Sequence, residues 1–390
     1  MSTTEEAHAA ARPAGRGGYL RAVGNVMALE LRQRLRARGW YIMLGIWFVI
    51  IGFVTLLTWS SWNASRVAAE NFGATVGSAG SMIFEIVLAF VLLFGLLVAP
   101  ALSANAVNGD RAGGTLAILQ VTLLTPGQIL WGKFLASWTA ALAFLATSLP
   151  FLIFGVLQGG MTAWHIVVAL LMLALELGVV CGIGVGISAL ANRPLFSIVI
   201  SYLTVAALVL GTVIAFGLGV ASTLGTVKAN QAVYSAVSLY SVPEPAGAGS
   251  TSPGTTSPDT SAPQYVCQGP LMEQRVPRTE RVAWLLSLNP YVVVADAIPY
   301  PSRDSAQAGM SVSGGTLESI SQGARGALAG PEATYPCANG KVQPSYLAQS
   351  TPTWPLGLAL QILLAGLLMW LGWRSLRTPS RRLARGTRIA

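Results

Sequence analysis

Gly127 to Lys133 reads G-x-x-x-x-G-K, the opening of a phosphate-cradling loop. Such a loop needs a following Ser or Thr for magnesium and a strand before it. Phe134 follows here, and the chain runs on into an apolar stretch, so nucleotide binding by this chain is not expected. A second candidate set begins with the charged pair Asp110 and Arg111, followed by Gly113, Gly114 and Thr115. A threonine after glycines suits a helix start. Leu116, Leu119 and Leu123 then recur three and four residues apart, giving one apolar stripe. Glu176 falls in the middle of an apolar run, where a carboxylate is costly and commonly faces a bundle interior or an aqueous cavity. It is read either as an acid on a substrate pathway or as a hydrogen-bonded structural residue. The two histidines, His8 and His165, are too far apart in sequence to suggest a metal site or a catalytic triad.

These groups must be positioned by apolar elements. Of 390 residues, 53% are hydrophobic and 10% charged, and the mean hydropathy is +0.60. A soluble domain carries about 25% charged residues. The composition therefore predicts an integral membrane protein. The net charge of +9 does not signal nucleic acid, because the arginines flank apolar runs.

Six runs are long enough to span a bilayer as helices, which takes roughly 20 residues each. They are 40–59, 81–104, 134–157, 163–190, 195–221 and 354–373. Residues 1–20 read as a disordered tail. Residues 21–39 read as an interfacial helix, with Val23, Met27, Leu31 and Leu35 on one face and arginines crowding the rest. Spans one to five occupy 40–221, with the polar stretch 105–133 between the second and third. A short outer loop at about 60–80 separates the first two. A basic tail, 374–390, closes the chain. Seven arginines precede Trp40 and six follow Trp373, so both ends are predicted to lie in the cytoplasm.

Residues 222–353 form a large insert between spans five and six, predicted to be extracytoplasmic. Residues 241–264 are rich in Pro, Ser, Thr and Gly and cannot bury a core. Residues 282–298 are apolar but broken by Asn289-Pro290 and contain Asp296. They read as a helix–break–helix in or on the outer leaflet rather than a seventh span. Cys267 and Cys337 share this region, where an oxidising compartment permits a disulfide; free thiols are the alternative. Cys181 reads as a small core residue. Gly178, Gly182 and Gly186, four apart, give a face for close helix approach. Glu85, near the outer end of its span, reads as reaching the interface.

Asp110-Arg111, then Gly114-Thr115-Leu116, with Gln128-Ile129-Leu130 running into Gly132-Lys133, resembles the first cytoplasmic loop of type-2 ABC exporter permeases. Glu30-Leu31-Arg32 is similar to the run in that family's elbow helix. The resemblance implies an all-α membrane fold and a loop that docks on a separate ATPase. Asp110, Arg111, Gly114, Thr115, Leu116 and Leu119 are then the coupling residues, and Glu176 a candidate on the substrate pathway. It also implies a second permease protomer, identical or not, in contact with membrane lipids in a bacterial plasma membrane. ATP would be bound by the partner subunit, with no cofactor and no catalysis in this chain. The apolar walls point to an amphipathic or lipid-like substrate moved outward. The rival reading is a non-transporting envelope protein whose outer domain acts as sensor or scaffold.

Overall fold

The computed structural model describes residues 16–71, 78–113, 124–159, 161–234, 265–300, 315–342 and 349–377. It is mostly helical. In chain order come α1 (Arg16–Arg36), α2 (Arg38–Asn71), α3 (Ala79–Ser103) and the short α4 (Asn108–Ala112). Then follow α5 (Pro126–Leu157), α6 (Ala163–Leu190), α7 (Pro194–Ala206), a π-helical turn at Ala207–Gly211 and α8 (Thr212–Ser222). The insert supplies β1 (Leu224–Tyr234), β2 (Tyr265–Pro277), α9 (Ala283–Ser287), α10 (Pro290–Ala297), α11 (Thr316–Ala329) and α12 (Pro331–Thr334). The last helix is α13 (Trp354–Arg377).

Six helical segments are long and apolar enough to cross a membrane: α2, α3 with α4, α5, α6, α7 through α8, and α13. The six expected spans are all present, with several boundaries moved: α1 already begins at Arg16, inside the expected tail 1–20, the second segment runs on to Ala112, and the last helix reaches Arg377. The first helix continues to Asn71, so the expected loop from residue 60 starts later. The third begins at Pro126, not near Phe134. Its start is a capping box: Thr125 N donates to Gln128 Oε1 at 2.8 Å, and Gln128 N donates to Thr125 Oγ1. Pro126 at the first helical position has no N–H to leave unpaired.

α6 is the central post, buried for most of its length. It meets α13 along the expected glycine face. A β-carbon on Gly186 would come within 2.7 Å of the Leu368 carbonyl carbon, so the two backbones touch where glycine omits it. Gly178 faces Trp138 of α5 instead.

The insert departs from an all-α plan. β1 and β2 form an antiparallel ribbon, with Val227 opposite Gln274 and Ala232 opposite Cys267. Val227, Val276 and Ala338 make a small satellite core, and Cys267 is bonded to Cys337. Residues 282–298 fold as helix, break, helix: α9 and α10 meet at Asn289, whose side chain caps α10 by accepting from Tyr291 N at 2.9 Å. Asn289 Nδ2 also donates to Val209 O at 2.7 Å. That carbonyl lies in the π-turn, where the altered register leaves acceptors for an outside donor. Glu85 is not at a lipid interface. It is buried, and its carboxylate accepts from Leu317 N at 2.9 Å, fixing the first turn of α11.

Candidate functional site

The expected loop residues divide by placement. Asp110 and Arg111 lie on α4; Gly114, Thr115, Leu116 and Leu119 lie outside the described residues. Gln128 to Lys133 belong to the first turns of α5 and are mostly buried, so the G-x-x-x-x-G-K run is helix here.

α4 is held against the bundle by polar contacts. Val107 N and Asn108 N both donate to Ser188 Oγ, each at 3.1 Å. Ser188 is fully buried near the end of α6. Arg111 Nη1 donates to Ala191 O at 2.7 Å, just past that helix. The side chain of Arg111 thus meets carbonyls at a helix C-terminus, where a cation is favoured.

Lys133 is the centre of the site. It has 1% exposure, and its ammonium bonds Asp110 Oδ2 at 2.6 Å and also Glu30 Oε1. An isolated ammonium in that setting is very costly, and paired carboxylates are what make it tolerable. One buried cation therefore joins three elements: α1 through Glu30, α4 through Asp110 and α5 through its own backbone.

This arrangement sets the packed face of α1. The expected stripe was Val23, Met27, Leu31 and Leu35. Val23 and Val26 are buried, Met27, Glu30, Leu31 and Arg34 are half-buried, and of the expected stripe Leu35 is exposed. A β-carbon on Gly132 would come 2.6 Å from Val26, so α1 lies directly on the start of α5. Arg34 Nη2 donates to Leu102 O at 2.9 Å, near the end of α3. Burial lowers the Arg34 pKa from its ordinary value, and Glu30 opposes that shift. Sequence reasoning missed Glu30 and Lys133 as partners, because 103 residues separate them.

Glu176 lies elsewhere, buried inside α6. Among the described residues neither of its oxygens has a hydrogen-bond partner within ordinary limits. Gln361 Nε2 donates to Leu288 O at 3.0 Å, at the break before α10, and Gln361 Oε1 is also without a partner. The walls around this level are apolar. Among the described residues no three His, Cys, Asp or Glu side chains converge in a metal-binding group.

A family model described as ABC-2 family transporter protein matches residues 24–369. No curated protein matches the chain.

Proposed function

Because the chain belongs to the ABC-2 transporter family, we propose that it is the permease subunit of an ATP-driven exporter, energised by a separate ATP-binding subunit at the α4 end. The observation that carries this reading is the Lys133 junction. A short helix between two spans can transmit force only if it is rigidly tied to them. Lys133 ties α4 to α5 and α1, and Ser188 and Arg111 tie it to α6. Asp110 and Arg111 then position the loop from within, and residues 112–123 meet the partner. ATP stays on that partner, and this chain contributes no catalytic group.

The rest of the reading follows from surfaces. α2 and the fifth span are the least covered, with 22% of each apolar window buried. These faces suit a second permease protomer or lipid. The apolar interior suits an amphipathic or lipid-like substrate, with Glu176 and Gln361 as its polar stations. The arginines beside both chain ends support a cytoplasmic α4 end, in a bacterial plasma membrane on this reading. The disulfide-bonded ribbon of the insert supports one rival: an envelope sensor acting through its described parts.

The test is co-expression with a candidate ABC ATP-binding subunit that co-purifies with this chain. The neutral triple variant Glu30→Gln, Asp110→Asn, Lys133→Met removes the charges together. Co-purification should persist while substrate-stimulated ATP turnover falls about tenfold, or 1.4 kcal/mol. Unchanged turnover in a folded complex rejects the coupling role, and absence of any associating ATPase favours the sensor.

A further inference from the structure

We propose that a cleft between α1, α5 and α13 is a binding site for one anionic glycerophospholipid, with an acyl chain in the cleft and the phosphate at its rim. The cleft has a volume of about 360 Å³ and is walled by Tyr19, Trp131, Gly366, Met369, Trp370 and Trp373. It opens at the end of the bundle where α13 finishes, the depth at which tryptophan and tyrosine mark a membrane boundary. No wall residue is acidic.

Three observations specify the headgroup. Arg374 sits over the Trp370 ring at 5.7 Å, and Arg377 over the Trp373 ring at 3.5 Å. The two aromatic walls therefore each carry a guanidinium, whose fork of donors matches a phosphate. Second, the cleft has its own uncharged donors. A β-carbon at Gly127 would lie 3.1 Å from Tyr19 Oη and 3.4 Å from Trp373 Nε1, so glycine leaves both groups facing one small space. Third, Trp131 and Trp370 are 48% and 47% exposed, amphipathic rings turned to the surroundings rather than to the core. A zwitterionic lipid offers the same chain but adds a cation beside two arginines. The basic segment 378–390 has the wrong charge to fill the rim. Basic pockets between spanning helices on such a face hold anionic headgroups.

The proposal rests on the chain being a membrane protein, and its test involves no ATP-binding subunit, so it can fail while the transport reading stands. The full chain is purified in detergent, washed free of lipid, and titrated with dioleoyl phosphatidylglycerol or dioleoyl phosphatidylcholine under native mass spectrometry. Two variants are compared. Gly366→Leu fills the cleft, and nothing lies within 4 Å of the added β-carbon to force unfolding. Arg374→Gln with Arg377→Gln removes the rim charge at two exposed positions. A melting curve confirms that each variant is folded. The expected result is one tightly held phosphatidylglycerol, with either variant weakening it about tenfold or more, the arginine pair by loss of the rim charge and Gly366→Leu by loss of the acyl-chain space. Equal binding of both lipids overturns the proposal, as does indifference to both variants. Displacement by inorganic phosphate alone would mean a free-anion site. A change of oligomeric state in Gly366→Leu with lipid binding intact would mean that a second copy covers the cleft.

Discussion

Asp296, at the end of α10, caps the last span: its Oδ2 accepts from Trp354 N at 2.9 Å. The same oxygen accepts from Thr353 N and Oγ1, while Oδ1 bonds Arg325 Nε at 2.5 Å and Ser321 Oγ at 2.9 Å. A carboxylate at a helix start satisfies orphan N–H groups and meets the positive end of the dipole. This one residue thus joins the broken helix, α11 and the first turn of α13.

Removing one partner of a buried ion pair strands the other, at about 3–5 kcal/mol. Asp296→Ala is therefore expected to lower the melting temperature strongly, and Arg325→Leu to do the same. Protease cleavage within 315–342 should rise in both. A melt like that of the parent in Asp296→Ala would show that this junction does not hold the insert.

Lys133 leads to a contrast between single and combined changes. Lys133→Met alone removes the ammonium shared by Glu30 and Asp110, both partly exposed, so stability should fall, by about 3 kcal/mol or less. The triple neutral variant should regain most of that loss, since apolar or neutral replacements of buried ion sets are often tolerated. Chemical denaturation of the three proteins in one detergent measures this. Equal stability of the single and triple variants would refute the mutual dependence.

Helix contact is tested at Gly186. A leucine there cannot fit against the Leu368 backbone, and overpacking costs about 1–3 kcal/mol when the surroundings can yield. Here the neighbour is backbone, so Gly186→Leu should reduce the folded yield well below that of Gly366→Leu, measured by fluorescence size-exclusion chromatography. Matching profiles would mean that α6 and α13 can part freely.

Glu176→Gln should leave the fold intact, because an uncharged side chain of the same shape suits a buried site lacking a cationic partner. Transport by the reconstituted pair with its ATP-binding subunit should then fall if the carboxyl group serves substrate or proton. Normal transport in a folded Glu176→Gln protein would leave it a structural residue.

The disulfide closes a stretch of 70 residues, worth about 4 kcal/mol in the chain-entropy description. Maleimide added to protein unfolded without reductant should modify Cys181 alone, and all three cysteines after reduction. Modification of Cys267 before reduction would exclude the bond in the cellular protein.

The sequence by itself determined the six spans, because a run of about 20 apolar residues is a local property that the bilayer reads one helix at a time. It also determined the break at Asn289-Pro290, since an asparagine that can cap followed by a proline suited to the first helical position marks a new helix start. The start of α5 was equally legible in Thr125, Pro126 and Gln128, a capping signal obscured by the apolar run that begins later. What only the tertiary structure decided depends on partners distant in sequence. On α1 the ion contact of Glu30 with Lys133 is such a case, because nothing in the local pattern of α1 marks which distant cation reaches it. The β-ribbon escaped notice because a strand has no internal hydrogen bonds: β1 exists only where β2 supplies its register, across thirty residues outside the described structure. Along the chain Asp296 reads as a polar residue in an apolar run, and Glu85 as one that reaches the interface. Folding makes them caps, since a carboxylate's role is set by which N–H groups arrive beside it.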